Sequence, residues 1–326
     1  MTLFRRFGAL AAALALAACA TLPVAPYVTT SADGWIPVAA QTRPVSLGLL
    51  PGARLVEGVR FAGGIVVASP ETTPLHGLSD LKILDGDLVS VTDAGDLVRA
   101  RLRLDRQGRL TGLDQPRVRR LTLTDGRPIT EKVDGDAEGL VITATGDLLI
   151  SFERDHRIWN YGPLARPGAH PVPVAAPDYA FPANDGMEGL SAAPGGWRAT
   201  GESGGVWDCG STGCRAVVAP PAALLTDADY RITGLDRDPA GNGWFAVERS
   251  FRPPADVRAR VRRMAVDGSL GPVLIELKHP GTVDNFEGIA AVATPGGVRL
   301  YLLSDDNFSD RQRTLLLAFD LANARH

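Results

Sequence analysis

Glu138, Glu188 and Glu287 each stand immediately before a glycine and a branched apolar residue, in DAEGL, MEGLS and FEGIA. The phrase returns with other leading residues as HGLSDL from His76 and TGLDRD from Thr233. Each copy is followed by a turn and a second apolar segment ending in an acid: Asp93, Glu153, Glu202, Glu248 and Asp305. Carboxylates brought to ~5 Å near a surface repel by about 3 kcal/mol per pair at an effective dielectric of about 20. A divalent cation relieves that repulsion, and calcium suits a cage of carboxylate, amide and backbone oxygens. The expected ligands are Glu138, Glu188 and Glu287, with Glu153, Glu202 and Glu248 behind them. The alternative is that the acids accept backbone N–H groups and fix strand ends.

Arg154, Arg249 and Arg311 follow second-segment acids and are placed to grip an anionic substrate beside the metal. His76, Asp93 and Asp305 are the candidate catalytic groups; His76 is equally a metal ligand, an acid–base group or a polar channel residue. The chemistry is then hydrolysis of a phosphate ester by a water activated at the cation. A lactonase or carboxylesterase at the same site is a second reaction. A ligand-binding or scaffold module is the reading from another class.

Paired residues of a hairpin lie symmetrically about its turn. The pairs His76/Asp93, Glu138/Glu153, Glu188/Glu202, Thr233/Glu248 and Glu287/Asp305 all centre in or beside glycine-containing turns. Each unit is therefore predicted to be a hairpin with one or two further strands, such as HRIWNYG or RTLLLAFDL. Recurrence every 45 to 62 residues without a long helical pattern points to an all-β fold, a propeller of four-stranded blades. Five blades are favoured; a sixth remains open because EGVRFAGGIVVAS reads as a degenerate hairpin. A strand from residues 44–69 would close the ring by completing the last blade. The motif glycines would allow close approach near the axis, and Leu78, Leu140, Leu190, Leu235 and Ile289 would pack between blades.

The N-terminus, MTLFRRFGALAAALALAAC, has two arginines and an apolar run too short for a membrane span. LAAC resembles a lipobox, so residues 1–19 are expected to be a lipoprotein signal with Cys19 lipidated. Residues 20–42 are read as a tether and 43–326 as the folded domain. A protein so addressed sits in the cell envelope, with the outer membrane favoured, and touches membrane through its lipid alone. In that oxidising setting Cys209 and Cys214, in WDCGSTGCR, are expected to form a disulfide.

The net charge of −3 excludes a nucleic-acid binder and leaves a small-molecule partner. HExxH, P-loop and GxGxxG motifs are all absent.

DAEGL, NDGMEGL, GLDRD with FAVERSF, and NFEGIA with SDDNFSDRQRT resemble the bacterial phytase-like proteins, described as having esterase-like activity of phytase. The resemblance covers residues 55–321, and Ser304 to Thr314 is its most specific part. It implies an exported β-propeller whose acidic residues serve a phosphoesterase. His76 stands where many relatives carry a small residue, and the fourth motif has Thr233 and Asp236 instead of a glutamate.

Overall fold

The structure, a computed structural model, describes residues 33–49, 51–69 and 75–323. The expected signal peptide, Cys19 and the first part of the tether lie outside these residues. The described residues are all-β, with a single helical turn among them, α1 (Lys132–Gly135).

Four leading strands, β1 (Ile36–Pro37), β2 (Gln41–Pro44), β3 (Ala53–Leu55) and β4 (Val59–Ala68), are followed by meanders of antiparallel strands. The first meander is β5 (Leu78–Leu84), β6 (Asp87–Thr92), β7 (Asp96–Leu104) and β8 (Leu110–Arg120). The second is β9 (Ala137–Ile142), β10 (Asp147–Phe152), β11 (Arg157–Pro163) and β12 (Val172–Val174). β13 (Met187–Ala193), β14 (Gly196–Gly201), β15 (Val206–Gly210) and β16 (Gly213–Val218) form the third. β17 (Arg231–Arg237), β18 (Trp244–Arg252), β19 (Asp256–Met264) and β20 (Leu270–Lys278) form the fourth, with β3 on its edge. The last comprises β21 (Asn285–Thr294), β22 (Gly297–Asp305) and β23 (Thr314–Ala322).

β4 runs antiparallel to β23 and meets β8 through one parallel bridge, Gly63 to Leu110. EGVRFAGGIVVAS is thus one continuous strand with its preceding turn, and not a hairpin. The expected tether also gives way to structure before residue 43. β1 pairs with β8 and β2 with β4, while Trp35 and Val38 are buried. The apolar residues of GWIPV explain this, since Trp35 packs into the core beneath the guanidinium of Arg117.

β5, β9, β13, β17 and β21, the first strands of the meanders, adjoin one another in that order, and β21 adjoins β5. Leu78, Leu140, Leu190, Leu235 and Ile289 are buried, as expected. The motif glycines make the approach possible. A β-carbon on Gly139 would lie 2.9 Å from Leu190 Cβ, one on Gly189 2.9 Å from Leu235 Cβ, and one on Gly234 2.4 Å from the Glu287 carbonyl oxygen.

A buried polar network ties the same five strands. Asp80 of β5 accepts from Lys82 Nζ at 2.8 Å and from the Leu140 amide of β9 at 3.1 Å. Lys82 donates to the Leu235 carbonyl of β17 at 3.3 Å and lies 4.0 Å from Asp236. Asp236 in turn accepts from Ser191 of β13 and from the Ala291 amide of β21. Asp236, a departure from the motif in sequence, is therefore part of this interior network.

Candidate functional site

The motif residue is held by a backbone irregularity that recurs. The ladder skips one residue between Met187 and Gly189, between Ile232 and Gly234, and between Phe286 and Gly288. In β9 the register passes from Ala137 to Gly139. Glu188, Thr233, Glu287 and Glu138 are therefore the extra residues of β-bulges, devices that re-aim a side chain out of the ladder. The bulge also shifts the expected pairing. Glu153 N–H bonds the Asp136 carbonyl and Glu202 N–H that of Gly186, while Asp305 pairs with Asn285. These second acids thus face the residue two before the motif glutamate.

These acids gather at one end of the inner strands. Burial, then repulsion from Glu188, Asp93, Asp136 and Glu153, pushes the Glu138 carboxyl well above the usual range. Burial, then Glu202, Glu153 and Glu287, does the same to Glu188. Glu153 is pushed up to about 8 by burial and by Asp136 and Glu202, and Glu287 to about 7 chiefly by burial. Asp305 rises well above its ordinary value through burial, Glu287 and Asp93. Carboxylate oxygens of Asp93, Asp136 and Glu138 all lie within 4.8 Å of one another.

Cations neutralise part of this set. Lys132 Nζ bridges Asp93 at 2.8 Å and Asp136 at 2.6 Å, and Arg154 bonds Asp136 from the other side at 2.5 Å. Glu202 is held by Arg231 and, at 3.1 Å, by Arg249, which also lies 3.8 Å from Glu287. Glu287 accepts from Asn285 Nδ2 at 2.7 Å. Glu138, Glu153 and Glu188 make no side-chain hydrogen bond or ion pair with any described residue, although each is at most 9% exposed.

Glu248 is not brought to the cluster. It is clamped by two bonds from Arg260, 2.7 and 2.9 Å, because strand alternation gives it the face of Ala246. Its neighbour Arg249 enters the acid cluster instead. Arg311 is exposed in the loop after β22 and has no ion pair with a described residue. His76 Nδ1 meets Asp306 Oδ2 at 2.5 Å, and its ring lies against Phe308. Asp136, Lys132 and Arg231 were missed by the sequence reading. Asp136 stands in DAEGL two residues before the motif glutamate; Lys132 and Arg231 carried no motif signal. Cys209 and Cys214 form the expected disulfide across the β15–β16 hairpin.

No curated protein matches the chain. Among solved structures it is similar to a putative gluconolactonase, at 13% identity and TM-score 0.45, over 90% of this chain and 97% of that one. It is also similar to the Malassezia sympodialis allergen Mala s 1, at 14% identity and TM-score 0.41, over 83% and 93% of the two chains. A PQQ-bound aldose sugar dehydrogenase from Streptomyces coelicolor matches at 13% identity and TM-score 0.38, over 87% and 99%. The family profile that matches, over residues 73–308, is the one described as esterase-like activity of phytase. With its propeller-like all-β fold, its bulge-borne acids and that match over most of its length, the chain belongs to the phytase-like family.

Proposed function

We propose that the protein hydrolyses phosphate esters at the acidic mouth of a five-bladed propeller, using a bound divalent cation. The circular adjacency of β5, β9, β13, β17 and β21 supports the blade count. The pairing of β4 with β23 supports closure by an N-terminal strand. The observation that carries the functional reading is the set Glu138, Glu153 and Glu188: buried carboxylates without a cation partner, beside carboxylates that have one.

The oxygens close enough to share a divalent cation are those of Asp93, Asp136 and Glu138, within 4.8 Å of one another, while Lys132 offsets part of the charge on Asp93 and Asp136 and Glu153 and Glu188 add repelling donors. Glu138 would hold it with the Asp93 and Asp136 oxygens, and Glu153 and Glu188 would close around it; on oxygen donors alone it is calcium. When bound it supplies charge stabilisation and acidifies water. Arg249 and Lys132 offer N–H donors to phosphoryl oxygens. Asp305, whose carboxyl burial and its acidic neighbours push well above the usual range, would hold the proton that the departing alkoxide needs. We place the protein in the cell envelope, anchored through Cys19.

The arginine- and lysine-capped Asp136 and Glu202 favour one other reading, a propeller that holds a ligand without chemistry. Purified protein presented with phosphomonoesters, phosphodiesters and lactones, with divalent cation or chelator, separates the two. Phosphate release that chelator abolishes is expected. Hydrolysis of lactones alone, or no turnover, removes the phosphoesterase reading.

A further inference from the structure

Lys132 stands on α1, a single turn whose preceding residue, Glu131, makes no side-chain capping bond and whose Val133 is exposed. Its ammonium reaches from the turn to acids of two blades. Nζ lies 2.8 Å from Asp93 Oδ2, just past β6, and 2.6 Å from Asp136 Oδ1, just before β9. Asp93 and Asp136, with Glu138, are the three residues whose carboxylate oxygens all lie within 4.8 Å of one another. The place where three described carboxylates could share an ion thus already has a cation of the protein's own.

That cation serves the trio incompletely. Glu138 is buried, is repelled by Glu188, Asp93, Asp136 and Glu153, and accepts no bond from Lys132 or any other described side chain. Asp136 takes a second bond on its other oxygen, from Arg154 Nε. One ammonium therefore bridges two of three clustered carboxylates and leaves the third, an oxygen donor turned toward the other two, without a partner among the described residues.

The lysine can leave while its backbone stays in place, because its charge rides on a flexible four-carbon stem. The Lys132 side chain is 29% exposed and its way to water is open. Lys82 differs: its side chain is 8% exposed, and beside Asp80 it bonds the Leu81 and Leu235 carbonyls inside the ring of inner strands. What can replace the Lys132 ammonium is decided by charge. A monovalent ion brings no more charge than the group it would displace, and the lysine is tethered at the site. A divalent ion doubles the attraction to each carboxylate and has coordination positions for the Glu138 oxygen as well.

We propose that Lys132 is the resident cation of the Asp93–Asp136–Glu138 site, one that a divalent ion must displace, so that it bars monovalent ions and sets the concentration at which the site fills. This rests on the cation reading of the same cluster and is independent of which ester is cleaved. A site that is open in only a fraction of molecules binds more weakly by that fraction, so removing the ammonium should tighten binding. A lysine that merely braced the fold would leave the affinity unchanged or lower it when lost.

The test is binding to the folded protein, not turnover. Calcium is titrated calorimetrically into wild type and Lys132→Met, which loses the charge but keeps an unbranched apolar stem. Lysines of wild type are footprinted with an acetylating reagent read by mass spectrometry; buried Lys82 and partly exposed Lys278 are the internal references. Lys132→Met should bind calcium at least ~10-fold more tightly than wild type. In wild type, Lys132 should resist acetylation in chelator, react with saturating calcium, and stay protected in sodium chloride of equal ionic strength, with Lys82 and Lys278 unchanged. Calcium bound with Lys132 still protected, or a variant that binds no tighter, overturns the inference and leaves the cation reading standing, as does exposure of Lys132 by sodium chloride. Calcium bound by the variant alone sustains Lys132 as the occupant and removes the cation from the proposed reaction. Binding by neither protein overturns both. The wild-type footprint decides even if Lys132→Met fails to fold.

Discussion

Lys82 Nζ donates to Asp80 Oδ2 at 2.8 Å, in a position where Asp80 is wholly buried and Lys82 nearly so. Burial pushes the Asp80 carboxyl up to about 7 even against the lysine. Lys82→Met therefore leaves a buried acid without its cation, and the expected loss is about 3–5 kcal/mol. The double variant Asp80→Asn, Lys82→Met should recover part of it. Urea melts check both; a single variant as stable as wild type would show that the pair does not hold the ring.

Stability in chelator should fall as pH rises. Glu153 and Glu287, at about 8 and about 7, have folded-state values above those of an unfolded chain. Such carboxyls bind more protons folded than unfolded, so their contribution is full below the unfolded value and is lost through the folded one. The melting temperature should decline between about pH 5 and pH 8. A curve that rises across that window contradicts the raised carboxyls.

Glu188→Gln keeps shape and removes one repelling charge. In chelator it should melt above wild type. With cation at about 100 times the dissociation constant, wild type should gain about 2.7 kcal/mol and the variant much less. If instead the variant melts lower in chelator, Glu188 is an acceptor that stabilises the fold, and the cation site loses its central ligand.

Gly234→Ala should be costly although Gly234 is not in the left-handed region. Its β-carbon would sit 2.4 Å from the Glu287 carbonyl oxygen, which is backbone and cannot turn aside. Overpacking of this kind costs about 1–3 kcal/mol. Because the displaced residue is Glu287, cation affinity should change as well. Gly195→Ala, a turn glycine with nothing within 4 Å but φ of 78°, should cost stability without touching binding.

Opening the Cys209–Cys214 bond releases a loop of very few residues, so loss of the bridge should cost about 2 kcal/mol and leave the sheet pattern unchanged. Circular dichroism and denaturation of Cys209→Ser, Cys214→Ser measure this. A variant that cannot fold would assign the bridge a larger role than its loop length allows.

The hairpins were legible because apolar alternation and glycine turns are local signals, and Gly139, Gly189 and Gly234 were legible because a repeated glycine has few explanations. Convergence of the motif glutamates followed from their common place in the repeat. The bulge was not legible: one extra residue leaves the apolar pattern intact and shows only as a one-residue shift of register between Met187 and Gly189. For the same reason Glu248 was misplaced, since a single step along β18 exchanges its face with that of Arg249. Lys132 reaches the cluster from α1 and Arg231 from the start of β17, and neither position is set by the motif. The burial of Trp35 depends on a partner, Arg117, more than eighty residues away in sequence.

The bulge also makes the motif position an interchangeable socket. A residue that the ladder skips does not set the pairing of its neighbours, so its identity can change while the register around it persists. Thr233 illustrates this: it occupies the same socket as Glu188 and Glu287, and its hydroxyl has turned inward to the Phe286 carbonyl at 2.8 Å while the bulge remains. Chemistry at the mouth can thus be rewritten one strand at a time, each change uncoupled from the sheet that presents it.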